Sequence, residues 1–574
     1  MSPGNALRRV WALKLVGALA LVGWVAVTTA VLSSAGRRFY DDDPISREPE
    51  SQSAAGARPL DISLFYEYVY NLFVSGRRQP SNTRAGNVNT IDEVPDSSWF
   101  VNRIGSEPIA PDRLARGANV DPAPASEKWT LLREKSGGTN PGFTAKDAKG
   151  QVWFLQFDVT EFPEAGTGAV EVMTKLFWAL GYNQVETFIT SVDPSRVEID
   201  PKATLKRPNG GRTPLTRDDL RQILERAARN PDGSYRASAG RQLSGTTLGP
   251  FRYSGTRSDD PNDLVLHENR RELRALRVFG AWTNLVDLKA GNTLDVLVEE
   301  TNRLIVKHYL QDVGSSLGMA NNLHEWDMGW EYFYDQDAAL RRLWSFGFAL
   351  SPWQTVPYEE FPSIGLLEGD QFDPRTWKPQ TPMPAYVEMR ADDAFWAARR
   401  VMAFSDELIR AAVHTGQYSD PAAERHLATV LSQRRDAVGR TYLTAINPVS
   451  DPHLDAAGTL TFVNAAVDAK FAEAPAAYRA SWRLFDNTTG TTSPLGETRS
   501  PSTSMDAPAN LPNGVGSFVE IDIAAVSAGQ PSWQQPVRSH FRRTADGWKL
   551  VGFERLPDQP AAPASSPKRA RDKR

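Results

Sequence analysis

Asp287-Leu288-Lys289-Ala290-Gly291-Asn292 and, further along, Gln311-Asp312-Val313-Gly314 are the most informative stretches of this chain. The first puts a carboxylate, an ammonium and a side-chain amide on one loop. The second ends an apolar strand in another carboxylate, followed by a glycine where the turn needs free backbone. Val296–Leu297 and Leu304–Leu310 are expected to be the strands of a hairpin that carries the turn. Upstream, about His267–Asn284 reads as a long helix that sets the Asp287 loop against a core.

On the N-terminal side, Trp129-Thr130-Leu131-Leu132 reads as a strand and the glycine-rich Ser136–Phe143 as a turn. Thr144–Asp147 resumes a strand, Ala148-Lys149-Gly150 turns the chain, and Gln151–Asp158 is a strong strand. An amphipathic helix comes next, from about Gly168 to Leu180. Val172, Leu176 and Ala179 recur at helical spacing, and Gly181 stops it. Two more strands are expected within 184–200, and helices near Ile62–Phe73, 392–415 and 420–444. Hairpin, helix, then strands is the order of a small nucleotide-clamping lobe. From Asn447-Pro448 onward the pattern alternates, as in Thr459–Val463 and Ser517–Ile523, and an Asp546-Gly547 turn separates two further strands.

Phosphoryl transfer asks for positioning and charge neutralisation more than for covalent chemistry. Asp287 suits the base that takes the acceptor's proton, and Lys289 suits steadying the transferred group. Asn292 and Asp312 suit a metal that bridges phosphates. At these residues the chain resembles the protein-kinase-like superfamily, above all atypical members such as HipA-like, spore-coat and secretory-pathway kinases. The resemblance spans 129–330 by motif and extends to 445 by architecture. It implies ATP with Mg2+ or Mn2+, and an α+β fold: a two-lobed protein-kinase-like domain followed by a C-terminal all-β domain.

The expected division is 1–36 signal peptide or membrane anchor, 37–58 linker, 59–204 N-terminal region and smaller lobe, and 205–262 insertion or connector. The larger lobe takes 263–446, a β-rich domain 447–556 and a disordered tail 557–574. By the resemblance, Gly137 and Gly138 would cover the nucleotide. The family's phosphate-binding lysine would stand on the strand after them, opposite a helix glutamate. Here that strand offers Gln156, and the helix offers Glu171. An amide donates a hydrogen bond but neutralises no charge. Lys146 and Lys175 are alternatives, both read as solvated surface lysines.

With a net charge of −4 the chain has no basic footprint, which argues against a nucleic-acid partner. It has 0 cysteines, which excludes disulfides, thiolate catalysis and Cys-bound metal. Arg8-Arg9 before the apolar run Val10–Leu32 fits an export signal or an anchor, and small residues at Ser33 and Ala35 fit a cleavage site. Either reading puts the bulk outside the cytoplasm, in the periplasm or on the cell surface, with membrane contact through this segment if it is uncleaved. Two other function classes are compatible with the chain. One is a pseudokinase or scaffold whose β-domain binds an envelope component. The other is a carbohydrate-active enzyme using Asp327 and Glu331, which fall at helical spacing among Trp326 and Trp330, with Glu325 nearby. His308 reads as a core histidine.

Overall fold

The computed structural model describes residues 37–135, 140–207, 211–320 and 323–557. The N-terminal apolar run, Gly137, Gly138 and nearly all of the expected tail lie outside these residues. No helix among the described residues is long and apolar enough to cross a membrane.

The chain is mixed α and β. Seven strands form the first sheet: β1 (Trp129–Glu134), β2 (Gly142–Lys146), β3 (Val152–Phe157), β4 (Thr187–Val192), β5 (Val197–Lys206), β6 (Arg212–Pro214) and β7 (Tyr235–Arg241). Their order is β4-β7-β3-β2-β1-β5-β6. The helices that frame the two informative stretches are α1 (Leu64–Phe73), α2 (Ala165–Leu180), α3 (Arg217–Glu225), α4 (Arg271–Thr283), α5 (Ala391–Met402), α6 (Asp406–His414) and α7 (Pro421–Leu443).

Asp147 makes the β2–β3 turn. Its carboxylate accepts the N–H groups of Lys149 and Gln151, both at 2.9 Å, and the Trp153 indole N–H at 3.0 Å. Gly150 supplies the positive φ of +83°. Along β3, Trp153, Leu155 and Phe157 face one way into a core with Trp129, Phe143, Ala237, Ala239 and, from α3, Leu220, Ile223 and Leu224. A slip of one residue would expose all three β3 side chains, at about 1.5–3 kcal/mol each. That penalty fixes Gln156 on the opposite face. Thr187 of β4 is on that face too, and its hydroxyl meets Thr174 of α2 at 3.1 Å. Strand parity therefore turns Gln156 toward the side that carries α2.

Two readings of the connecting segments need correction. Residues 205–262 are no mere insertion, because β7 lies between β3 and β4 in the sheet. Residues 37–58 are docked rather than a free linker. Phe39 and Ala54 are buried, the Ala54 N–H donates to the Leu304 carbonyl at 2.7 Å, and that of Glu48 to the Asp96 carbonyl at 2.8 Å. Polar composition does not reveal such backbone pairing.

Helix α4 ends at Asn284, left-handed at φ 52°, where the Leu285 N–H caps back to the Gly280 carbonyl. Beyond the Asp287 loop, β9 (Thr293–Glu300) and β10 (Arg303–Leu310) pair antiparallel, joined by Thr301 and Asn302 with φ of +49° and +62°. Positive φ at both turn residues matches the twist of the strands. β8 (Thr246–Gly249) flanks this hairpin. His308 is a core residue. Its Nδ1 lies 2.7 Å from Asp295, and its ring stacks on Trp99 at 3.5 Å. The expected 392–415 helix is two, α5 and α6, broken where the Ser405 hydroxyl caps α6.

After α7 the chain builds two antiparallel sheets. One has three strands: Val449–Leu454, Thr459–Asn464 and Ser504–Asp506. The other has five: Ala477–Phe485, Thr492–Ser500, Phe518–Val526, Val537–Arg543 and Trp548–Glu554. They are tied to the helices, since the Arg555 guanidinium lies 3.8 Å from the Phe395 ring centre of α5. In the larger sheet Glu520 meets His540, Arg483 and Arg538. Burial pushes the Glu520 carboxyl up, but the hydrogen bonds from His540 and Arg483 and the Arg538 charge outweigh it and hold it at about 2, against an ordinary 4.5. A depressed carboxyl stabilises the fold fully above its unfolded value and loses that contribution as pH falls through the folded one. The gap in melting temperature between wild type and Glu520→Gln is therefore expected to narrow as pH is lowered from about 4.5 to about 2.

Candidate functional site

The β9–β10 register brings the Asp287 and Asp312 stretches together. Thr293 pairs with Leu310, so Asn292 and Gln311 are the next residues out. There the Asn292 carbonyl accepts the N–H groups of Gln311 at 2.9 Å and Asp312 at 3.1 Å. The Asn292 side chain faces back, its Nδ2 donating to the Asp287 carbonyl at 2.5 Å. Two further bonds strap the loop: Val286 N–H to the Ser315 carbonyl at 3.1 Å, and Gln380 N–H to the Val286 carbonyl at 2.9 Å.

The carboxylate of Asp287 is largely buried. Its Oδ2 accepts from Lys289 Nζ at 2.8 Å, while Oδ1 has no bond among the described residues. Burial first, then the charge of Asp287, pushes up the phenols of Tyr68 on α1 and of Tyr253. The buried Tyr253 hydroxyl has no hydrogen-bond partner among the described residues. On the outer side α1 leans on the loop. A Cβ added at Gly291 would come within 3.2 Å of Leu64.

Asp312 is exposed, and its Oδ1 accepts the Gly314 N–H at 3.1 Å. A Cβ at Gly314 would stand 3.1 Å from Val170 of α2, so the turn sits against the helix that carries Glu171. Asn292 and Asp312, joined through their backbones, each carry a hard side-chain oxygen. With Nδ2 engaged at a carbonyl, Oδ1 is the open end of the Asn292 amide, and Asp312 enters no ion pair among the described residues. This donor set fits Mg2+ or Mn2+, which take one or two protein oxygens and complete their shell with phosphates and water. Among the described residues no group of three or more His, Asp or Glu could hold a metal unaided.

Other sequence expectations fare differently. Glu171 does not meet Gln156. It pairs with Lys175 one turn on, at 3.1 Å, and both are buried. Lys175, read as a solvated lysine, also donates to the Thr187 carbonyl at 3.4 Å. Glu171 Oε1 has no hydrogen-bond partner among the described residues. Lys146 is exposed. Gln156 has a partner that its strand position does not suggest: Lys135 Nζ donates to its Oε1 at 3.1 Å. Burial lowers the Lys135 amine, and the nearby Asp312 carboxylate opposes that shift. The signal in the sequence is a lysine at the exit of β1, directly before the glycine-rich turn.

The stretch with Asp327 and Glu331 is not helical but a series of turns. The Glu331 carboxylate is held by Arg342, by the Ser351 hydroxyl at 2.7 Å and by the Trp353 indole at 3.0 Å. Trp and Asp in close sequence mark a turn here, and Glu331 is bound up in local structure.

No family model and no curated protein matches the chain. Solved structures that align with it include the Golgi casein kinase and the Golgi casein kinase with Mn/ADP bound. They cover 69% and 70% of this chain and 96% and 97% of theirs, at 10% identity and TM-scores of 0.28 and 0.27. Values that low carry no argument for this chain. Its function has to be reasoned from the geometry of its own site.

Chemically, the site offers a carboxylate oriented by a lysine, two metal-suited oxygens on a shared backbone ladder, and a lysine–glutamine pair on the facing sheet. Such a set can neutralise a polyanion and accept a proton beside it.

Proposed function

We propose that the protein is a kinase-like phosphotransferase that uses ATP with Mg2+ or Mn2+. The observation that carries the reading is the hairpin register. It ties the Asn292 carbonyl to the Asp312 N–H while the Asn292 amide braces the Asp287 backbone. Three residues suited to phosphoryl transfer, Asp287, Asn292 and Asp312, are thereby held in one frame.

In this reading Asn292 Oδ1 and the Asp312 carboxylate hold the cation, which when bound screens the phosphate charge. Lys289 fixes one oxygen of Asp287 and leaves the other for the acceptor hydroxyl's proton. Tyr68 and α1 flank the place where an acceptor would approach.

The test is a thermal shift on the full chain. Millimolar ATP with Mn2+ is expected to raise the wild-type melting temperature, since a ligand that binds only the folded state stabilises it by mass action. Asp312→Ala is expected to abolish the shift. Absence of a shift in the wild type overturns the reading.

A second reading, nucleotide binding without transfer, is favoured by the neutral Gln156 on β3 and by the closed Glu171–Lys175 pair. It predicts a thermal shift with no transfer of the γ-phosphate.

A further inference from the structure

We propose that Lys135, at the exit of β1, is the cation that receives the nucleotide's phosphates, held in place by Gln156 on β3. This rests on the nucleotide-binding reading above.

A phosphate site on this sheet needs a positive charge, and Gln156 cannot supply one. Lys135 reaches Gln156 across β2, with Nζ 3.1 Å from Oε1. The residue opposite Gln156 on β2 is Gly142, whose carbonyl accepts the Lys135 N–H at 3.2 Å. A glycine is required there: a Cβ would stand 2.4 Å from the Leu155 carbonyl oxygen. Lys135 and Gln156 are thus neighbours over a strand position that carries no side chain. Burial lowers the Lys135 amine, and the charge of Asp312 opposes that shift. Strand parity puts Gln156, and with it the Lys135 ammonium, on the side of the sheet that carries α2, the helix against which the Asp312 turn sits.

The other cations near the site are committed. Lys289 is on Asp287 at 2.8 Å, and Lys175 is buried on Glu171 at 3.1 Å. Arg236 donates to Thr167 at 2.8 Å and to the carbonyls of Gly416 and Gln417. Lys135 forms no ion pair within 4.0 Å among the described residues, and its one side-chain bond there is to a neutral amide. An ammonium held by an amide keeps its full charge for an incoming anion, whereas one held by a carboxylate does not. Gln156 acts on this view as a tether. Its Oε1 is fixed toward Lys135, and its Nε2 is left to donate beside it.

The experiment titrates the full chain with Mn-ATP, using a fluorescent ATP analogue as the probe. Lys135→Met is expected to weaken binding at least tenfold without lowering the melting temperature of the unliganded protein. Lys135→Gln, polar and neutral, gives the same reading if the methionine variant folds poorly. Lys146→Met is expected to bind as the wild type does. The double variant Lys135→Met/Gln156→Lys moves the charge onto β3 and is expected to recover much of the lost affinity. Wild-type binding with Lys135→Met and Lys135→Gln unchanged overturns the assignment of Lys135 and leaves the nucleotide site standing. No wild-type binding overturns both.

Discussion

Asp287→Asn is expected to slow phosphoryl transfer by about 10²–10⁴-fold, the usual contribution of a positioned base. It is expected to leave the metal-dependent thermal shift in place. The substitution is nearly isosteric and disturbs little else. The Asn292 amide binds the backbone carbonyl at position 287, not the side chain, and the Val286 and Ser315 strap is backbone to backbone. What changes is the Oδ2 that Lys289 holds at 2.8 Å and the Oδ1 left open toward an acceptor. A neutral amide accepts no proton, so transfer should fall while the ligands on Asn292 and Asp312 stay where they are. The measurement is release or transfer of the γ-phosphate from labelled ATP in single turnover, beside the thermal shift. Undiminished transfer would remove Asp287 from the chemistry. A wild type that binds yet transfers nothing would favour the binding-only reading.

The contrast with Asp312→Ala matters here. Loss of Asp312 should remove binding and transfer together, because that carboxylate touches the proposed cation. Loss of the Asp287 charge should separate the two. A purely structural loop would show neither pattern: both variants would change stability and nothing else.

Short-range order is legible in the sequence. Alternation along Gln151–Asp158 places β3, and its parity alone puts Gln156 opposite Trp153, Leu155 and Phe157. The apolar spacing of Val172, Leu176 and Ala179 marks α2, and the stretches around Asp287 and Asp312 stand out by residue type and by the hairpin between them. Long-range order is not legible. Nothing in residues 205–262 says that β7 will slot between β3 and β4, because strand order is decided by pairing between segments far apart in the chain. Docking of 37–58 is hidden for the same reason. Lys175 reads as solvated despite its i,i+4 spacing from Glu171, since burial of a charged pair depends on what packs over it. Lys135 is equally hidden, since it stands at the end of β1, two strands away from its partner. Its bond to Gln156 crosses β2, and that pairing of β1, β2 and β3 is not written in local sequence.

Arg271→Met is expected to destabilise the protein by about 3–5 kcal/mol, the range for breaking a buried ion pair by removing one partner. Arg271 opens α4, the helix that delivers the Asp287 loop, and it is 0% exposed. Its Nε donates to Asp393 at 2.9 Å, and its terminal nitrogens to the Asp92 carbonyl at 2.6 Å and the Asp92 carboxylate at 2.9 Å. Asp392 lies 3.5 Å away, and Arg274 takes the other oxygen of Asp393 at 3.1 Å. The fork thus binds three carboxylates, Asp392 the most distant, and a carbonyl at once. Methionine fills much of the volume but supplies no donor, so a buried carbonyl goes unpaired, the Asp92 carboxylate keeps only Arg84 as a cation, and that of Asp393 keeps Arg274 and the Arg390 N–H at 3.0 Å. Lysine should rescue little, because a single ammonium cannot reproduce the planar fork. The check is urea unfolding followed by tryptophan fluorescence, with Arg271→Met made also in an Asp393→Asn background. A true charge network predicts a smaller loss there, since the second carboxylate no longer needs its partner. Equal losses in the two backgrounds would mean that Arg271 is not coupled to Asp393 and acts through Asp92 and packing. A loss below about 1 kcal/mol, the scale of surface pairs, would mean that something other than this network holds the Asp287 loop in its frame.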